Sequence, residues 1–91
     1  MSSSLHRNQY TVFRTLLLAE REQRGLTQVF VAAKLNKPQS YVSKYERGER
    51  RLDFAEFIEI ADVFELNIPA FIKTYRQALE RGEVFSYGPL V

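Results

Sequence analysis

A chain of 91 residues, 45% hydrophobic and 26% charged, has the length for one compact domain and not for two. It holds no cysteine, which excludes a disulfide framework, a thiolate metal site and a cysteine nucleophile, and its one histidine, His6, makes no metal site alone. The formal net charge is only +2, yet residues 34–51 carry Lys34, Lys37, Lys44, Arg47, Arg50 and Arg51 against Glu46 and Glu49, while residues 52–65 carry five acids and no cation.

No stretch alternates with period two for long, whereas several repeat their apolar residues every 3.6, so the chain reads all-α. The spacing predicts a first helix from about Asn8 to Arg24, with Phe13, Leu16 and Leu17 on one side and Gly25 ending it. Thr27 is an N-cap for a short second helix to about Leu35, with Val31, Ala32 and Leu35 inward. Ala32 and Ala33 are small enough to let it lie close to a neighbour, and Asn36 can turn the chain with positive φ. A third helix begins near Pro38 and runs to about Glu46 with Val42 and Tyr45 inward, closed by Arg47 and Gly48. Asp53 and Glu56 have the spacing of a capping box before Phe54, Phe57, Ile58, Ala61 and Phe64, which places a fourth helix over 54–65. Asn67 caps a fifth through about Arg81, in which Ile68, Phe71, Ile72, Tyr75 and Leu79 form a stripe. That stripe either makes a two-fold dimer contact or completes the monomer core. Residues 83–91 include Phe85, Tyr87, Leu90 and Val91, too apolar for a solvated tail, and are expected to dock on their own subunit or on another. The longest apolar runs, such as Leu16 to Ala19, are far too short for a membrane span, and the polar start lacks a signal-peptide core, so the expected compartment is the cytoplasm.

Two short helices joined by a turn of a few residues are the sequence form of a helix-turn-helix. With Val42 anchoring the third helix from behind, Gln39, Ser40, Tyr41, Ser43 and Lys44 are expected to face outward, near the end that enters a DNA major groove in such motifs. Gln suits adenine, Lys suits guanine, and hydroxyls suit a base edge or a phosphate. Tyr41 would either stack on the DNA or shield the turn. The basic block fits a phosphate backbone, with Arg50 and Arg51 as phosphate contacts and the acidic block off that surface, although two ordinary solvated helix faces would give the same charges.

Leu26-Thr27-Gln28, followed by Gln39-Ser40-Tyr41-Val42-Ser43-Lys44-Tyr45-Glu46-Arg47-Gly48, resembles the lambda repressor and Cro (Xre-type) family. The resemblance covers about residues 13–66 and implies a five-helix DNA-binding domain, with residues 67–91 left as a candidate dimerisation element. Position by position it implies that Gln28 and Arg47 hold phosphates, that Gln39, Ser40 and Lys44 read bases, and that Arg21 and Glu46 form a structural ion pair. The chain departs from the family pattern at Asn36, Lys37 and Pro38 in the turn and at Glu65, where a glycine often ends the fourth helix. Val29 and Phe30 replace residues that are normally polar, and either cluster locally with the tail or contact another protein.

The expectation is therefore a sequence-specific double-stranded-DNA-binding regulator, a homodimeric repressor, with no cofactor or metal. An antitoxin or adaptor whose main partner is a protein is the rival class. An enzyme is excluded by the lack of a thiol, a catalytic histidine constellation, a phosphate-cradling glycine loop and metal-ligand spacing.

Overall fold

The computed structural model describes residues 2–81, with side chains from Gln9 onward. Five helices follow in order: α1 (Ser2–Gln23), α2 (Gln28–Leu35), α3 (Gln39–Arg47), α4 (Phe54–Phe64) and α5 (Ile68–Arg81). Helix α1 starts well before Asn8, because no glycine or proline interrupts residues 2–8. The tail of residues 83–91 and its expected docking lie outside the described residues.

Local chemistry sets the helix ends. The Thr27 hydroxyl accepts from the Phe30 N–H at 3.0 Å, the Asn67 side chain accepts from Ala70 N–H at 3.0 Å, and Asp53 and Glu56 form a reciprocal capping box on α4. Pro38 is the cap position of α3 rather than part of its first turn; it offers no side-chain cap, and its carbonyl accepts from Tyr41 N–H at 3.0 Å. Four helices end on a left-handed residue: Gly25 (φ 69), Asn36 (φ 61), Gly48 (φ 82) and Glu65 (φ 54). Positive φ favours glycine at Gly48, and a Cβ there would lie 2.8 Å from Arg14 Nε, so the Arg14 side chain would have to shift to admit one.

Helix α2 packs on α3 and α4, and α1 packs on α3 and α5. Leu17, Val31, Val42, Tyr45, Ile60, Phe64 and Phe71 share the main core, and Val12 and Ala78 begin a second cluster where α1 meets α5. Phe13 joins three elements, with its ring centroid 5.4 Å from Phe57 and 6.2 Å from Phe71.

Several expected orientations are corrected. Phe54 is 76% exposed rather than core, because as the first residue of α4 it lies before the helix turns its apolar stripe inward; Ile60 takes up that burial instead. Ala33 faces solvent, and Ala32 alone provides the close approach. Within the stripe on α5, Phe71 belongs to the monomer core, and Tyr75 and Leu79 pack on the Val12–Ala78 cluster. Only Ile72 of the proposed dimer residues stays exposed.

Glu65 holds a conformation that costs a residue with a Cβ ~1 kcal/mol or more relative to glycine. Glu65→Gly is expected to raise stability by up to ~1 kcal/mol, seen as a melting temperature higher by several degrees. An unchanged or lower midpoint would contradict this account of the α4 terminus.

Candidate nucleic-acid interface

Helix α3 has to serve two faces at once. Tyr41, Val42, Tyr45 and Glu46 are buried, whereas Gln39, Ser40, Lys44 and Arg47 are exposed and Ser43 is half-buried. Tyr41 is therefore corrected from the outward set. Its ring meets Tyr45 edge-on at 5.7 Å, with the Lys37 ammonium 5.3 Å and the Arg50 guanidinium 4.9 Å from its centroid. It occupies the inward position four residues before Tyr45 on the same stripe, and burial pushes its phenol above the usual range. Shielding the turn is the role this geometry allows.

A polar chain runs from the interior to the exposed end of α3. Arg21 Nε donates to Glu46 Oε2 at 2.6 Å and Nη2 to Oε1 at 3.1 Å, a bidentate pair in which only 5% of the Glu46 side chain is exposed. Arg21 Nη1 also donates to the Leu26 carbonyl at 2.8 Å, tying α1 to the start of the α2 segment. Gln28 Nε2 donates to Glu46 Oε1 at 2.8 Å, and Gln39 Nε2 donates to Gln28 Oε1 at 3.1 Å. Because the Glu46 carboxylate can only accept, it turns the Gln28 amide so that its oxygen faces Gln39. The hydrogen bond and charge of Glu46 raise the Arg21 pKa.

The loop after α3 is held just as closely. Arg50 donates to both oxygens of Glu56, at 2.9 and 3.3 Å, and that hydrogen-bonded guanidinium holds the Glu56 carboxyl below the usual carboxylate range. The acidic block is thus not wholly apart from the basic one, since the two meet at this pair. Arg47 binds Glu49 through two hydrogen bonds of 2.9 and 3.0 Å and also donates to Ser43. Arg51 lies 4.2 Å over the Tyr10 ring. Among the described residues neither Lys44 nor Arg51 makes an ion pair, and nor do Lys34 and Lys37 of the same block.

Sequence reasoning missed Tyr10 and Arg14. The Tyr10 hydroxyl accepts from Leu52 N–H at 3.0 Å and donates to the Arg50 carbonyl at 3.5 Å; Arg14 Nη1 donates to the Glu46 carbonyl at 2.8 Å under Gly48. The signal was present: residues 10, 14, 17 and 21 recur at helical spacing, so the buried Leu17 shares its stripe with two arginines that must find partners. Val29 and Phe30 are 60% and 43% exposed, with the Lys34 ammonium 5.5 Å from the Phe30 ring. Among the described residues no group of acids and histidines could hold a metal ion, and no helix is long and apolar enough to cross a membrane.

A family model described as helix-turn-helix matches residues 17–71. The solved structure of an XRE-family like protein from Pseudomonas syringae pv. tomato str. DC3000 is similar to this chain, with 36% identity and a TM-score of 0.78 over 84% of this chain and 93% of that one. No curated protein matches it.

Removing one partner of the buried pair leaves the other charge uncompensated, so Glu46→Ala is expected to cost ~3 kcal/mol or more. Thermal melts of Glu46→Ala, Arg21→Ala and the double variant check this; single variants that melt like the parent chain would show that the pair contributes nothing.

Proposed function

The chain belongs to the Xre-type helix-turn-helix family of DNA-binding transcription regulators, which is not a family of enzymes, and from that premise we propose that it acts as a homodimeric, sequence-specific repressor in the cytoplasm. The observation that carries the reading is the exposed edge of α3, where Gln39, Ser40 and Lys44 stand clear of the core while Gln39 is oriented by hydrogen bonds leading back to Glu46. A polar amide held in one orientation before it meets a ligand has lost little further freedom on binding, which suits bidentate recognition of a base edge.

Roles follow from exposure and partners. Gln39, Ser40 and Lys44 read bases, with Ser43 beside them. Gln28 both supports Gln39 and contacts phosphate. Arg47 and Arg51 hold phosphates from the loop side, and Arg50, engaged by Glu56 and Tyr41, holds the loop and adds its charge to the field. In this reading residues 1–91 act as one DNA-binding domain, and repression is by occupancy of the site. The second reading, an adaptor or antitoxin, draws on Val29 and Phe30, which lie side by side in solvent.

One helix-turn-helix reads only a few base pairs, so two copies related by a two-fold axis would place their α3 helices in successive major grooves, ~34 Å apart. Selection of bound duplexes from a random pool is expected to return an inverted repeat with half-sites about one turn apart, and the mass of the complex two protein subunits. A non-repeating consensus bound by one subunit would defeat the homodimer, and no enrichment would defeat sequence-specific binding.

Affinity is expected to fall steeply with salt, as cations displace counterions from the phosphates. Arg51→Ala should weaken binding to all sequences and flatten the log-log salt slope by up to about 1, whereas Lys44→Ala should also relax preference at one base pair. Titrations of matched and mismatched duplexes at several salt concentrations separate these effects; a salt-independent affinity would remove the phosphate contacts from the reading.

A further inference from the structure

Away from α3, a groove of about 620 Å³ opens between α1, the start of α4 and the first turns of α5. Tyr10, Phe13, Phe54 and Ile72 give it apolar walls, and Arg51 and Arg76 are the cations lining it. Phe54 and Ile72 are 76% and 44% exposed, a large apolar surface for a chain of this size to leave in water. A second depression shares Ile72 and Arg76 with the groove and continues past Lys73 and Gln77 to Glu80, so a shallow path walled by side-chain stems reaches the last turn of α5.

We propose that the groove is occupied by residues 82–91 of the same chain, folded back along α5 with Phe85 against Ile72 and Tyr87 against Phe54. The reach agrees. From Arg81 back to Ile72 is nine residues of helix, ~14 Å at ~1.5 Å each, and from Arg81 forward to Phe85 is four residues of extended chain, ~13 Å at ~3.3 Å each. Gly82 directly follows the helix and can adopt the left-handed conformation that reverses a chain there. In an extended segment Phe85 and Tyr87, two apart, point to the same side, as two adjoining apolar walls require.

Charge fits as well. The segment carries one acid, Glu83, and no cation, and two extended residues past Arg81 would bring Glu83 back to the level of Gln77, beside Lys73 and Arg76. The chain's own segment is favoured over that of a second copy because a tether of a few residues gives an effective concentration in the ~millimolar range. The inference goes beyond the DNA-binding reading and stands without it. It changes what a second copy would meet on this face, which is the outer edge of the docked segment rather than bare Ile72.

The chain contains no tryptophan, so Phe85→Trp in the full-length protein gives a single reporter. The expected result is blue-shifted emission and acrylamide quenching several-fold weaker than in a free peptide of residues 82–91 with the same tryptophan, constant over a hundred-fold range of protein concentration. Adding Ile72→Ser, or separately Phe54→Ser, should return quenching to the peptide's value. Both positions are exposed, so circular dichroism is expected to show the helices intact, and the two variants check one another. Quenching equal to the free peptide's in the Phe85→Trp protein overturns the proposal. Protection that neither serine variant relieves also overturns it, as does protection that appears only at high protein concentration, which would assign the groove to a second copy's segment.

Discussion

Glu46 carries a charge near the interior of a domain too small to bury one without help, and the organisation of the helix-turn-helix follows from how that charge is satisfied. Arg21 meets it with a bidentate pair, Gln28 donates to it, and Arg14 holds the carbonyl of the same residue. These donors come from α1 and α2, so the orientation of α3 is set by two other helices through the carboxylate and carbonyl of one residue. A pair of this kind adds little net stability over an apolar contact, because removing two charges from water is costly. What it supplies is registry, since α3 cannot rotate without leaving Glu46 or Arg21 buried and unpaired.

That registry is transmitted outward. The Glu46 carboxylate fixes the Gln28 amide, and the Gln28 oxygen receives Gln39, so a surface glutamine is connected through three hydrogen-bonded side chains to the packing of α1. The loop beyond α3 is tied down independently: Tyr10 bridges the Arg50 carbonyl and Leu52 N–H, and Arg50 is pinned between Glu56 and the Tyr41 ring. The two anchors converge on α1, whose stripe of Tyr10, Arg14, Leu17 and Arg21 forms the polar and apolar backing of the exposed face.

The basic block is therefore less uniform than its charge count. Arg47 and Arg50 each have an acid within hydrogen-bonding distance, while Lys44 and Arg51 do not depend on one. Exposed pairs such as Arg47 with Glu49 are weak and exchange readily for a phosphate. The Arg50 cluster is braced by the cap of α4 and by a buried ring, so its charge contributes to the local field with its geometry already committed.

The sequence by itself determined the order of the helices after Gly25 and their limits to within a residue, because their signals are local: Thr27, Asp53 with Glu56, and Asn67 cap the residues that follow them, and Asn36 and Gly48 take the positive φ that a tight helix end needs. The periodicity of α3 separated Val42 and Tyr45 from Gln39 and Lys44 for the same reason. Only the tertiary structure decided the direction of residues at the edge of a stripe. Tyr41, at the edge of the buried stripe, lies inward with Arg50 and Lys37 over its ring, and Phe54 stays outside because α4 has scarcely begun at that point. It also decided that Phe71, Tyr75 and Leu79 face α1 and the monomer core, which the period of an isolated amphipathic helix leaves open. A helical stripe specifies that a face must be covered, and the identity of the cover depends on residues far away in the chain.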